Sequence, residues 1–250
     1  GLGGRMRAEQ SATLAKIIHQ MATAPEIGRL LEELRPYEAS LPYDSDEASL
    51  IRYARRDFEK ATRVPTELRT ALARASSKGS DTWVQARKQS NFALFLPALE
   101  EMIELKHRYV ACFPEYKTDP AGSVYDPLLD DFEPGLKTTT VRAIFDELKR
   151  DLVPLVRSLS DRMHDVDTSI LHGHFPQEQQ RQFVLSILER FGFSTDSWRL
   201  DATVHPFASS MGTTDIRLTT RYYDDFLNPC LFGSMHECGH GLYENGVSPA

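Results

Sequence analysis

Cysteine is sparse in this chain: three in 250 residues, Cys112, Cys230 and Cys238, odd in number and far apart. A disulfide framework needs dense, evenly numbered cysteines, so a reducing compartment is expected and the protein is read as cytoplasmic. Basic charge is also short, with 29 Lys and Arg against 36 Asp and Glu and a net charge of −7. Phosphate backbones are bound by basic faces, so nucleic acid is not an expected partner. No apolar run approaches the ~20 residues of a membrane-spanning helix, so no membrane partner is expected either. No secretory signal opens the sequence. The opening Gly1-Leu2-Gly3-Gly4 lacks an initiator Met, and four residues follow Gly246, so the expectation is a chain truncated at both ends.

What remains is the composition of a soluble globular protein, 41% hydrophobic and 26% charged. Apolar residues recur at three- and four-residue spacings over long windows, the period of helices. Met6, Leu14, Ile17, Ile18 and Met21 form one such stripe, and Leu50, Tyr53, Ala54 and Phe58 another. Pro25 suits a first helical turn, and Pro36 ends that segment. Asp44 with Glu47 predicts a capping box. A helix from Pro65 is expected to stop at Gly79, and a longer one from Asp81 to break at Pro97. Residues 113–137 read as a connecting loop with a short helix near Asp126, and residues 139–163 as a helix interrupted at Pro154. Pro176 to Arg190 reads as a helix stopped by Gly192.

Late in the chain the pattern changes. Residues 199–205 and 214–220 are β-prone, with a turn-like Ser-Ser-Met-Gly-Thr stretch between, and predict two antiparallel strands. Helical spacing then resumes from Asp225. The fold class expected is mainly α: a helical part over 1–198, a β-hairpin over 199–222 and a helix over 225–245, all in one domain.

That last helix carries His236-Glu237-Cys238-Gly239-His240. Residues four apart share a helix face, so both imidazoles can aim at one point, where Zn²⁺ accepts neutral nitrogen ligands. Glu237 lies about 100° round the helix, near a cation but badly placed to ligate it; it suits the removal of a proton from a zinc-bound water. By chance the five-residue pattern arises about 0.02 times in a chain of this composition, so its neighbours matter. Gly239 and Gly241 are poor helix formers and suggest a close approach by another backbone or a substrate. Cys238 points away from the histidines and reads as packing. His172-Gly173-His174 reads as an exposed loop rather than a second metal site.

With these residues the sequence resembles the carboxypeptidase Taq family of zinc metallocarboxypeptidases. His205-Pro206-Phe207 looks like that family's HPF motif, and Asp215-Ile216-Arg217-Leu218-Thr219 like its DxRxT motif. His236 to Glu244 looks like HExGHALYE, with Gly241 where Ala is usual. Tyr125 to Gly135 is similar to a YDxLLDxYEPG run, and Trp83, Ala86, Arg87, Asn91 and Phe92 match WxxAR…NxF.

The resemblance implies a helical zincin fold of the neurolysin-like and angiotensin-converting-enzyme-like kind, present here as a partial domain, with a small antiparallel sheet near the active site. It implies release of single residues from the C-termini of peptide substrates by a homodimer. Zinc, for which cobalt can substitute, is then held by His236 and His240, with Glu237 as base and His205, Pro206, Phe207, Asp215, Arg217 and Thr219 beside the site. The third zinc ligand of the family is a Glu beyond these 250 residues, and Glu244 is not that ligand. Asp215 is either the carboxylate partner of a ligating histidine or a salt-bridge partner of Arg217 or Arg221. Arg217 and Arg221 either bind a substrate carboxylate or hold loops together; His205 either lines the cleft or packs in its loop. Two further functional readings stand beside an active carboxypeptidase: an incomplete fragment acting only with a partner chain, and an endopeptidase on the same fold.

Overall fold

The computed structural model describes residues 3–247; the abrupt ends at Gly1-Leu2 and Ala250 lie outside the described residues. The chain divides into two compact units, Gly1–Asp151 and Leu152–Ala250. In the first lie α1 (Gly4–Ala22), α2 (Pro25–Glu33), α3 (Arg35–Ser40), α4 (Asp46–Arg63), α5 (Thr66–Lys88), α6 (Leu96–Ala111) and α7 (Asp126–Leu129); α8 (Thr138–Ser160) crosses the division. The second holds α9 (Gln177–Leu188), β1 (Trp198–Ala202), β2 (Ala208–Gly212), β3 (Asp215–Thr220) and α10 (Asn228–Asn245). The mainly helical class with one small sheet is what the periodicity predicts.

In the first unit α1 packs on α5 and α5 on α6. The face that α1 buries is its small one, Gly4, Ala8 and Ala12 with His19. The apolar stripe of Met6, Leu14, Ile17, Ile18 and Met21 lies on the opposite side and is exposed. Small side chains let two helices approach closely, and that contact decides which face turns inward. The core here is Val64, Leu68, Ala75, Leu105, Tyr109 and Phe113.

Several expected boundaries move. Ser45, not Asp44, caps α4, its hydroxyl accepting from the Ala48 N–H at 3.2 Å. Gly79 does not stop α5, which runs to Lys88; a side chain there would meet nothing within 4 Å, so only helix propensity opposes it. The break comes at Ser90, in the left-handed region at φ 49°. Pro97 then falls in the first turn of α6, where its missing N–H costs no helical bond. Pro154 lies inside an uninterrupted α8. No residue of α8 is buried, and its Ile144, Phe145, Leu148, Leu152, Leu155 and Leu159 are all exposed.

The 113–137 connection is pinned by two aspartates. Asp126 accepts from the Ser123 N–H (3.1 Å), the Thr138 N–H (2.8 Å) and the Thr138 hydroxyl (2.6 Å). Asp130 accepts from the Gly135 N–H at 2.8 Å and pairs with Arg56 and Lys60 of α4. Burial pushes both carboxyls up, but these donors outweigh it and hold them below the usual carboxylate range.

In the second unit Gly192, at φ 106°, ends the run that begins with α9, as expected. The sheet corrects the hairpin expected over 199–222. Its order is β1-β3-β2, with β1 parallel to β3 (Trp198 opposite Ile216, Leu200 opposite Leu218). The stretch read as a turn is itself β2, antiparallel to β3. Trp198, Leu200, Ile216 and Leu218 form the core with Val184, Leu188, Phe193, Cys230 and Cys238. Helix α10, starting at Asn228 rather than Asp225, packs on β3, β2 and α9. No helix among the described residues is long and apolar enough to cross a membrane.

Candidate metal centre

Helix α10 has two working sides. Cys230, Ser234, Glu237, Cys238 and Gly241 are buried, with both cysteines in the core beneath the sheet, while His236 and His240 are exposed. The spacing of four on a 3.6-residue helix produces this division. It also brings the two rings together: their Nε2 atoms stand 3.3 Å apart, with centroids 4.9 Å apart and planes at 82°. Two nitrogens bound at ~2.1 Å to one tetrahedral cation would be separated by ~3.4 Å. At 3.3 Å the pair is long for a hydrogen bond between two rings. It is the spacing of two ligands.

Glu237, between them in sequence, is only 7% exposed. Among the described residues none donates a hydrogen bond or pairs with its carboxylate. The donor set fits a borderline divalent metal by its nitrogen spacing, with a carboxylate next to the first histidine in sequence. It offers two nitrogen donors: among the described residues no group of three or more His, Cys, Asp or Glu is gathered that could hold an ion. Glu244, one turn beyond His240, instead accepts from the Ser210 hydroxyl of β2 at 2.8 Å.

The other predicted residues line up on and beside β3. The Thr219 hydroxyl both accepts from the Phe207 N–H (2.7 Å) and donates to the Phe207 carbonyl (2.8 Å). That double bond fixes the backbone after His205 and Pro206, leaving the His205 and Phe207 side chains exposed. Asp215 is paired bidentately with Arg217, at 2.9 and 2.8 Å, and the guanidinium holds its carboxyl below the usual range. Arg221 spans two loops, its guanidinium 4.6 Å over the Tyr223 ring and 3.4 Å from the Val204 carbonyl. Among the described residues no carboxylate is hydrogen-bonded to either histidine of α10, so Asp215 is not drawn to them. His172 stacks on Phe226 at 4.5 Å, a packing contact.

Four contacts that fasten α10 were not read from the sequence. Ser234 bonds Thr220, Ser210 bonds Glu244, Asn245 bonds the Thr213 carbonyl, and Trp198 lies against Gly241. Gly241 thus faces a close approach, by side chains rather than a backbone, whereas Gly239 faces open space. The small residues at 230, 234, 238 and 241 were the available signal.

Comparison with known proteins shows the family. The family model described as carboxypeptidase Taq (M32) metallopeptidase matches residues 2–250. The chain is 39% identical over 249 residues to thermostable carboxypeptidase 1 of Thermus thermophilus, covering 98% of this chain and 49% of that protein. It is 34% identical over 248 residues to carboxypeptidase 1 of Bacillus subtilis, covering 99% and 48%. Among solved structures, the BsuCP crystal structure superposes with a TM-score of 0.88 at 32% identity, over 99% of this chain and 48% of that one. Pyrococcus furiosus carboxypeptidase (apo-Mg) gives a TM-score of 0.78 at 28% identity, over 97% and 48%. The chain spans about half the length of the curated relatives it matches.

Proposed function

Because the chain belongs to the carboxypeptidase Taq (M32) family of metallopeptidases, we propose that it forms part of a zinc-dependent carboxypeptidase that releases single residues from peptide C-termini. The observation that carries this reading is the 3.3 Å convergence of the His236 and His240 Nε2 atoms beside the buried Glu237. His236 and His240 hold the metal, and the remaining protein ligand comes from the other half of a family-length enzyme. A zinc ion held there, or cobalt in its place, supplies Lewis acidity at the scissile carbonyl. Glu237 takes a proton from the attacking water as the new C–O bond forms, then gives that proton to the amine that leaves as the C–N bond breaks. His205, Pro206 and Phe207, kept in place through Thr219, line the approach to the metal; the Asp215–Arg217 pair and Arg221 stiffen the strand end beside it. The single helical peptidase domain, the homodimer and the cytoplasmic setting belong to the same proposal, the last supported by three free cysteines.

A second reading, that these 250 residues act only with a partner polypeptide, is favoured by α8. A 23-residue helix with no buried residue and a row of exposed large apolar side chains has a face suited to packing against more protein. In both readings the catalytic test is Glu237→Gln in the completed enzyme. Hydrolysis of a peptide with a free C-terminus is expected to fall by about 10²–10⁴-fold with zinc content unchanged. Hydrolysis that survives the substitution refutes the role of Glu237, and equal cleavage of a C-terminally amidated peptide points to endopeptidase action.

A further inference from the structure

Strand β3 ends in two adjacent threonines with opposite duties. Successive side chains of a strand point to opposite faces. Thr219 engages both backbone polar groups of Phe207, on the side of the His205-Pro206-Phe207 segment. Thr220 turns the other way, into the interface with α10. There it is fully buried, as is Ser234. The Ser234 hydroxyl donates to Thr220 Oγ1 at 2.7 Å, and the Thr220 hydroxyl in turn faces the Cys230 carbonyl at 3.3 Å. Each hydroxyl has one proton to give, and each proton is directed at an acceptor.

Ser234 stands two residues, about 3 Å of helical rise, before His236. The hydroxyl pair therefore fixes how far along β3 the histidine-bearing turn sits. Resting on the metal-site reading above, we propose that Thr220 and Ser234 are positioning residues: with Thr219 they form a two-sided clamp that keeps the His236–His240 turn in register with the His205-Pro206-Phe207 segment. Apolar packing alone would let the helix slide along the sheet, because dispersion and burial have no direction. A buried hydroxyl pair does have one, since any slide leaves both groups unsatisfied.

The test is Zn²⁺ binding to the completed, family-length enzyme carrying each variant of this chain, measured by calorimetry at temperatures where each variant is folded. Thr220→Val keeps the shape and removes the hydroxyl; it is expected to weaken Zn²⁺ binding by about tenfold, in the range seen when groups that orient metal ligands are removed. Thr220→Ser retains the hydroxyl and is expected to bind within about twofold of the unaltered chain. Val184→Ala, a core change in the same unit, controls for a general loss of stability and is expected to leave Zn²⁺ affinity unmoved. Should Thr220→Val not fold, Ser234→Ala takes its place under the same criterion. The clamp is refuted if the hydroxyl-free variant binds Zn²⁺ as tightly as the unaltered chain, or if Val184→Ala weakens binding equally. Failure of the unaltered completed enzyme to bind Zn²⁺ would instead bring down the metal site itself, and the clamp with it.

Discussion

Gly241 lies so close to Trp198 that a Cβ added to the glycine would stand 2.4 Å from the indole ring and 2.9 Å from Ile216. The family motif that this helix resembles usually has Ala at that position. Here the indole fills the space a methyl group would occupy. Trp198 is itself buried and tilted against Phe193, with ring centroids 5.9 Å apart, so it has little freedom to withdraw. Gly241→Ala is therefore expected to destabilise the fold by about 1–3 kcal/mol, despite a helix-propensity gain of roughly 1 kcal/mol. Thermal unfolding of Gly241→Ala alone and together with Trp198→Leu checks this: the smaller side chain at 198 should reduce the penalty for Ala, with the Ile216 contact remaining.

The two histidines are exposed and make no contact that the fold needs, so replacing either should separate metal binding from stability. His240→Ala is expected to leave metal-free stability within about 0.5 kcal/mol and to remove the rise in melting temperature that Zn²⁺ gives the unaltered chain when the other half of the enzyme is present. For that chain the stabilisation should approach about 2.7 kcal/mol at a Zn²⁺ concentration of 100 times Kd. An equal rise in the variant would mean that zinc binds elsewhere.

Acid should loosen the 113–137 connection. The carboxyl of Asp126 titrates below its ordinary value in the native state, because the Thr138 and Ser123 donors outweigh the effect of burial. Its contribution is complete above the unfolded value of about 3.9 and is lost as pH falls through the depressed native value. Urea unfolding followed as a function of pH should show this loss, and Asp126→Asn should flatten it. At neutral pH, Asp126→Ala is expected to cost about 2–3 kcal/mol, since it strands donors held by a charged acceptor.

The exposed face of α8 gives a test of assembly. Leu148→Asp puts a charge on a half-exposed position of α8, so the stability of the chain alone should change by no more than about 0.5 kcal/mol. Co-purification with the remaining half of a family-length enzyme should be lost. Retained assembly would show that this face is not the contact.

The local parts of this structure were legible in the sequence and the non-local parts were not. Spacing of three and four gave the helices, and spacing of four gave the convergent histidines, because both depend on chain geometry within one or two turns. Capping was misread by one residue, since Asp44 and Ser45 have similar chemistry and only the backbone decides between them. Gly79 does not stop its helix and Pro154 does not interrupt its own, because each costs a helix stability without forbidding it. The apolar stripe of α1 gives its helical period but not its inward face, because contact with α5 selects Gly4, Ala8 and Ala12. The parallel pairing of β1 with β3 and the Thr220–Ser234 bond join segments whose partners no periodicity announces.

Strand β3 is central in the sheet, hydrogen-bonded on both edges, and it is also the last of the three to leave a ribosome. A nascent chain that has reached residue 214 holds β1 and β2 without the strand that joins them. A sheet of this order forms only once the third strand is present to pair with both of the others, and that strand is part of the surface on which α10 packs. Synthesis thus delivers the histidine turn directly after the platform that receives it.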